Sequence, residues 1–202
     1  ALANEKQIWH MGFWHSEREM GGNQLSAKLA RGEIRRTNTR LLDYAVGGEV
    51  AELDSLSQSG LEFAFQHQSM TVEAEYARRT LDTLLDTNPL DDSVQQGYHL
   101  SLSYFPGGEV RPYHAGNALF NQPKNIRNAW ELMARVSRMD ASTETQGTDV
   151  LSYTVGTSYY FNPYVKFMGN LVFSEVSGPG QFEMTGNEDT GTGVSARLHY
   201  AF

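Results

Sequence analysis

With 202 residues and 22.6 kDa the chain is long enough to bury a sizeable core, which argues against a purely disordered segment. It has no cysteine, so disulfides, thiolate zinc sites and a cysteine nucleophile are excluded together, and its net charge of −8 argues against a general nucleic-acid binder. Mean hydropathy is −0.47 and no run approaches the roughly 18 apolar residues of a membrane helix, but neither fact bears on a transmembrane barrel, where only alternate residues meet lipid.

The N-terminus, Ala1-Leu2-Ala3-Asn4-Glu5-Lys6, has no charged-then-apolar signal sequence. The segment Gln7 to Glu17 carries Trp9, Met11 and Phe13 on one face, and a basic stretch from Glu33 to Leu42 is read as another strand. Leu61, Phe63 and Phe65 alternate with Glu62 and Gln66; a turn at His67 to Ser69 leads into Val72, Ala74 and Tyr76 against Glu73, Glu75 and Arg79. Tyr98, Leu100, Leu102 and Tyr104 oppose His99, Ser101 and Ser103. A long connection follows from Gly107 to Asn125, and then Trp130, Leu132, Ala134 and Val136 oppose Arg127, Glu131, Arg135 and Ser137. Leu151 to Phe161 alternates strictly, Asn162-Pro163 turns the chain, and Val165, Phe167, Leu171 and Phe173 resume against Lys166, Asn170 and Ser174. After a Gly-, Pro- and acid-rich loop from Ser177 to Asp189, Val194, Ala196, Leu198, Tyr200 and Phe202 close the chain on an apolar face.

About nine strands of roughly ten residues, with short turns alternating with longer loops, are the pattern of an all-β, antiparallel transmembrane β-barrel. A soluble sandwich or lipocalin-like barrel also alternates. The polar phase separates the two: it carries Glu73, Glu75, Arg79, Glu131, Arg135 and Arg197, while the apolar phase is rich in Tyr and Phe near strand ends, as an aromatic girdle requires. An odd strand count implies that part of such a barrel is missing, so residues 1–202 read as the C-terminal portion of a single barrel domain. Counting back from a periplasmic C-terminus puts the turns at His67 to Ser69 and Asn162-Pro163 in the periplasm. The loops at Thr83 to Ser93, Ala141 to Thr148 and Ser177 to Asp189 then lie outside. The Gly107 to Asn125 connection is too long for a periplasmic turn and is expected to fold inward.

The run Tyr104-Phe105-Pro106-Gly107-Gly108-Glu109-Val110-Arg111-Pro112-Tyr113, then Pro123-Lys124-Asn125, then Ala129-Trp130-Glu131-Leu132-Met133-Ala134-Arg135-Val136-Ser137-Arg138, resembles the phosphate-selective porin O/P family. Ala74-Glu75-Tyr76, Tyr159-Tyr160-Phe161-Asn162-Pro163 and Arg197-Leu198-His199-Tyr200-Ala201-Phe202 are similar to its later strands. The resemblance implies a sixteen-stranded, trimeric porin of the bacterial outer membrane that passes small anions such as phosphate or polyphosphate, without a cofactor. It also implies that Phe202 serves as the signal read by the barrel-assembly machinery. The chain departs from the family in being net acidic, and the family's central lysine cluster belongs to the half not represented here.

Arginine suits oxyanions, because its planar fork meets them bidentately and stays charged when partly desolvated. Candidate pathway residues are Arg31, Arg35, Arg36 and Arg40 in the basic stretch, with Arg79, Arg127, Arg135 and Arg197 on polar strand faces; the competing reading pairs them with carboxylates such as Glu73, Glu75 and Glu131. The histidines form no metal motif, since His10 and His15 fall on opposite faces of a strand. Glu183, Glu188 and Asp189 lack calcium-loop spacing and read as a solvated loop rather than a cation bridge to lipopolysaccharide. His99, Ser101 and Ser103 share a face, as any polar lumen would arrange them, so no enzyme is expected. The alternative to a pore is a plugged barrel whose outer loops bind envelope components.

Overall fold

Alternation at period two commits a segment to a strand with two unlike faces, and a computed structural model shows what those strands build. It describes residues 2–3, 7–25, 28–30, 33 and 40–201. The elements are β1 (Leu2–Ala3), β2 (Gln7–Gln24), β3 (Lys28–Ala30), β4 (Leu42–Asp43), β5 (Glu52–His67), β6 (Met70–Thr83), β7 (Val94–Tyr104), β8 (Tyr113–His114), β9 (Leu119–Phe120), β10 (Ala129–Asp140), β11 (Asp149–Asn162), β12 (Val165–Ser177), α1 (Gln181–Thr185) and β13 (Thr190–Tyr200).

Among the described residues the chain is all-β apart from one helical turn, and its main body is a nine-stranded antiparallel sheet in the order β1-β2-β5-β6-β7-β10-β11-β12-β13. Leaving out the two-residue β1, its strands run from 11 to 18 residues, about twice the usual length in globular sheets. Each long strand pairs with the next long strand in sequence, so the sheet is an up-and-down meander. Among the described residues β1 and β13 each have a single neighbour.

Register carries side-chain parity from strand to strand. Trp130, Tyr159, Phe167 and Leu198 lie directly across from one another, and one residue along, Glu131, Ser158, Met168 and Arg197 do the same on the other face. The apolar face is the exposed one: Met11, Phe13, Leu61, Val155, Val194 and Leu198 lie open, with Val194 at 77% exposure. On the polar face Gln66, Thr71, Glu131, Ser152 and Ser158 are buried, with Glu131 at 1%. A protein folded in water has the reverse distribution.

The polar face is covered at both ends. The turns at 68–69 and 163–164 share one end with the connection 105–128, and residues 41–51 and the connections 84–93, 141–148 and 178–189 meet at the other. Gln68 supplies the positive φ of the first turn, at 52°. In the second, Asn162 Oδ1 accepts from the amides of Tyr164 and Val165 at 2.8 and 2.9 Å. At the long-connection end Leu42, Tyr44, Leu53, Leu81, Leu90 and Val150 form an apolar cluster. At the short-turn end Phe105, Ile126, Ala129 and Tyr160 form another.

The basic stretch from Glu33 to Leu42 contributes no strand to the large sheet among its described residues. Glu33 is in a turn, Arg40 and Leu41 have no regular structure, and Leu42–Asp43 pairs instead with Lys28–Ala30; residues 34–39 lie outside the described residues.

Candidate functional site

The polar face between the two apolar clusters collects the ionisable side chains. Two segments fold onto it. The first is the connection between β2 and β5, pinned at its base where the Tyr44 hydroxyl donates to Leu25 O at 2.8 Å. The base is fixed from the neighbouring loop by Gln146, whose Nε2 donates to Tyr44 O at 2.9 Å and Glu49 O at 2.8 Å while its Oε1 accepts from Glu49 N at 3.0 Å. Burial pushes the Tyr44 phenol above its ordinary pKa. From this base the segment reaches the sheet wall at Glu33, whose carboxylate lies 3.3 Å from Arg135 Nε and accepts from the Ser137 hydroxyl.

The second segment is the connection between β7 and β10, folded back onto the polar face as its length requires. Gln66 Nε2 donates to Arg111 O at 2.9 Å, the Tyr113 hydroxyl and His10 Nδ1 are 2.7 Å apart, and Gln122 Nε2 donates to Pro163 O at 2.8 Å. Its charged anchor is Arg111, paired through Nη2 with the buried carboxylate of Glu131. Tyr160 donates to the other carboxylate oxygen at 2.7 Å, and Lys166 Nζ sits 5.1 Å above the Tyr160 ring.

Two of the cavities share residues of this face. One, of about 450 Å3, lies toward the long connections among Trp14, Gln58, Glu75, Arg79 and His99. The other, of about 300 Å3, lies toward the short turns among Glu73, Ser103, Arg111, Thr154 and Asn170. Glu33 and Arg135 line both, so this pair stands where the two spaces meet. No group of three metal-ligating side chains is present among the described residues.

A continuous polar face with charges of both signs, backed by an exposed apolar face, is what a channel wall in a membrane needs. The family model described as phosphate-selective porin O and P matches residues 15–202. The chain belongs to the phosphate-selective porin O and P family. The family is one of channels rather than enzymes, and it implies an outer-membrane protein. No curated protein matches the chain.

Against this porin family the arginines sort into distinct places. Arg79 is half-buried on β6 and donates to Gln95 Oε1, at 3.0 Å from Nε. Arg135 is half-buried on β10, where Nη1 also donates to Ser101 Oγ at 3.4 Å. Arg197 is exposed on the polar parity of β13, with no ion-pair partner among the described residues. Arg40 is half-buried beside Leu41. Arg127 precedes β10 and is exposed in the connection rather than on the strand itself. Arg31, Arg35, Arg36 and Phe202 lie outside the described residues.

Glu33, Arg111, Tyr160 and Lys166 hold the polar face together but did not stand out as site residues in the sequence. The excess length of the 105–128 connection was the one signal that pointed to Arg111. Of Glu73, Glu75 and Glu131, expected to pair with the candidate arginines, Glu131 pairs with Arg111, which is not one of those candidates. Glu75 lies 4.0 Å from His99; outside that set, Glu62 lies 3.1 Å from His10.

Proposed function

We propose that this chain forms part of the wall of a sixteen-stranded, trimeric β-barrel in the bacterial outer membrane, through which small anions, phosphate or polyphosphate among them, diffuse passively. Residues 1–202 are read as its C-terminal portion, with the short turns on the periplasmic side. The observation that carries the reading is the inverted sheet, with Met11, Phe13, Val155 and Leu198 open on one face and Glu131, Gln66 and Ser158 buried on the other.

Dimensions support it. On the apolar face of β10, Trp130 marks one end and Arg138, paired with Asp149 at 3.0 Å from Nε to both carboxylate oxygens, marks the other. At about 3.4 Å per residue and a tilt of about 40°, this separation is about 21 Å of membrane height, close to the apolar band of outer-membrane barrels. Trp130, Tyr159, Phe161 and Phe167 cluster at the short-turn end, with Trp130 and Tyr159 ring centroids 4.8 Å apart and Tyr159 and Phe161 4.9 Å apart, as an interfacial aromatic belt would. Anion preference rests on Arg79, Arg135 and Arg197 along the polar face, and on the arginines that flank Glu33 in sequence. The trimer, the contacts with lipid and lipopolysaccharide, and a role for Phe202 in assembly rest on the family resemblance.

The test is the reversal potential of the purified porin in a planar bilayer across a salt gradient, with inorganic phosphate then added to one side. Anion selectivity and block of chloride current by phosphate are expected. Cation selectivity would overturn the anion assignment. Two segments folded onto the polar face favour a second reading, a plugged barrel with a surface-binding role, and absence of conductance would establish it over the pore.

A further inference from the structure

We infer that Glu33 is a tethered competitor for the anion-binding position at Arg135, and so sets how strongly the pore prefers anions; this rests on the porin reading above. Arg135 does not stand alone on the wall. Ser101 and Thr154 are its register partners on the two neighbouring strands, so a hydroxyl flanks the guanidinium on each side. This row of donors on β7, β10 and β11 matches the needs of an inorganic oxyanion, which takes hydrogen bonds from several directions at once. Among the described residues the row is not saturated: Arg135 Nε and Thr154 Oγ1 are both buried and make no hydrogen bond.

The Glu33 carboxylate meets this row from the opposite side. It lies 3.3 Å from Arg135 Nε, yet its approach is not aligned as a hydrogen bond, and its hydroxyl donor is Ser137. A carboxylate held this way neutralises the guanidinium without filling its donors. Glu33 is also carried on a connection and not on a strand, so it can yield its place without disturbing the sheet. Because Glu33 and Arg135 line both cavities, an anion moving between those spaces passes this pair and exchanges with the Glu33 carboxylate at Arg135. A cation gains from Glu33 what an anion loses.

The experiment compares the wild-type porin with Glu33→Gln, Ser137→Ala and the double variant Glu33→Gln/Arg135→Gln in planar bilayers, reading the reversal potential in a salt gradient and the inorganic phosphate concentration that halves chloride conductance. Glu33→Gln should raise the anion-to-cation permeability ratio by up to about thirtyfold, since one unit charge at about 4 Å through water shifts anion and cation about fivefold each in opposite directions, and should lower the half-blocking phosphate concentration. Ser137→Ala, which frees the carboxylate from the wall, should move both readouts in the same direction by less, and it carries the test if Glu33→Gln fails to assemble. The double variant should lose the gain. A conducting Glu33→Gln pore with wild-type selectivity and wild-type phosphate block would overturn the inference while leaving the porin reading intact. A wild-type protein that conducts nothing would overturn the porin reading, and the inference with it.

Discussion

The Tyr160 hydroxyl donates to Glu131 Oε2 at 2.7 Å, and this bond completes the coordination of a carboxylate that is 1% exposed. Arg111 supplies the opposite charge. The connection 105–128 is therefore held to the wall by a buried ion pair that brings its charge from one segment and its neutral donor from another.

Removing one partner leaves a buried charge unpaired, which costs far more than losing a neutral hydrogen bond. Arg111→Met should lower stability by about 3–5 kcal/mol, and Tyr160→Phe by about 1–3 kcal/mol. Urea unfolding of the porin in lipid vesicles measures both. Equal effects would mean that the ion pair does not hold the segment.

Gln146 ties the base of the Glu33-bearing connection through its three hydrogen bonds to Tyr44 and Glu49. Gln146→Ala should cost about 1–3 kcal/mol and speed amide exchange at Glu49. A methyl group at Gly48 would overlap the Gln146 side chain, so Gly48→Ala should also destabilise. With Gln146→Ala already present, Gly48→Ala should cost measurably less, because the two closest overlaps, with Gln146 Oε1 and Cδ, are gone and only the one with Cβ remains. Strict additivity in a double-mutant cycle would refute the contact.

The loop between β6 and β7 has its own titration. The Thr83 amide donates to Asp91 Oδ1 at 2.9 Å and its hydroxyl donates to the same oxygen at 3.0 Å, which holds the Asp91 carboxyl below its ordinary pKa of 3.8. With the folded pKa below the unfolded one, the stabilisation is complete above pH 3.8. It is lost as pH falls through the lower folded value. The Thr83 amide proton resonance should therefore titrate with a midpoint below 3.8. A midpoint at or above that value would show that the Thr83–Asp91 bonds do not form in solution.

Depth dependence tests the membrane assignment directly. Val155 lies mid-strand on the apolar face of β11 and Phe161 near its short-turn end. Val155→Arg should cost about 2–4 kcal/mol in lipid and Phe161→Arg about 0–1 kcal/mol. Both positions are open to solvent in the isolated sheet, so a protein that lives in water would tolerate both substitutions alike.

Alternation was legible in the chain because it is local. The parity that separates Tyr98, Leu100 and Leu102 from His99 and Ser101 is written within a few residues, and the folded sheet keeps it. The turn at Asn162-Pro163 was equally legible, since the asparagine side chain caps its own backbone. Strand boundaries were less so. Arg127 shares the parity of the polar face but falls outside β10, because where pairing starts depends on the neighbouring strand. The helical turn at Gln181–Thr185 left no periodic signal, being only 5 residues long.

What the sequence by itself determined, then, is the two-faced character of each strand and the family to which the chain belongs, for both are carried by neighbours along the chain. Only the tertiary structure decided which connections turn onto the polar face and which side chains meet there. Glu33 reaches Ser137 across 104 positions and Arg111 reaches Glu131 across 20, and neither partner can be picked from its surroundings in sequence. A carboxylate on this face could meet any of several cations, and the pairing that forms is set by the register of the strands and the path of the connections, which exist only once the sheet is assembled.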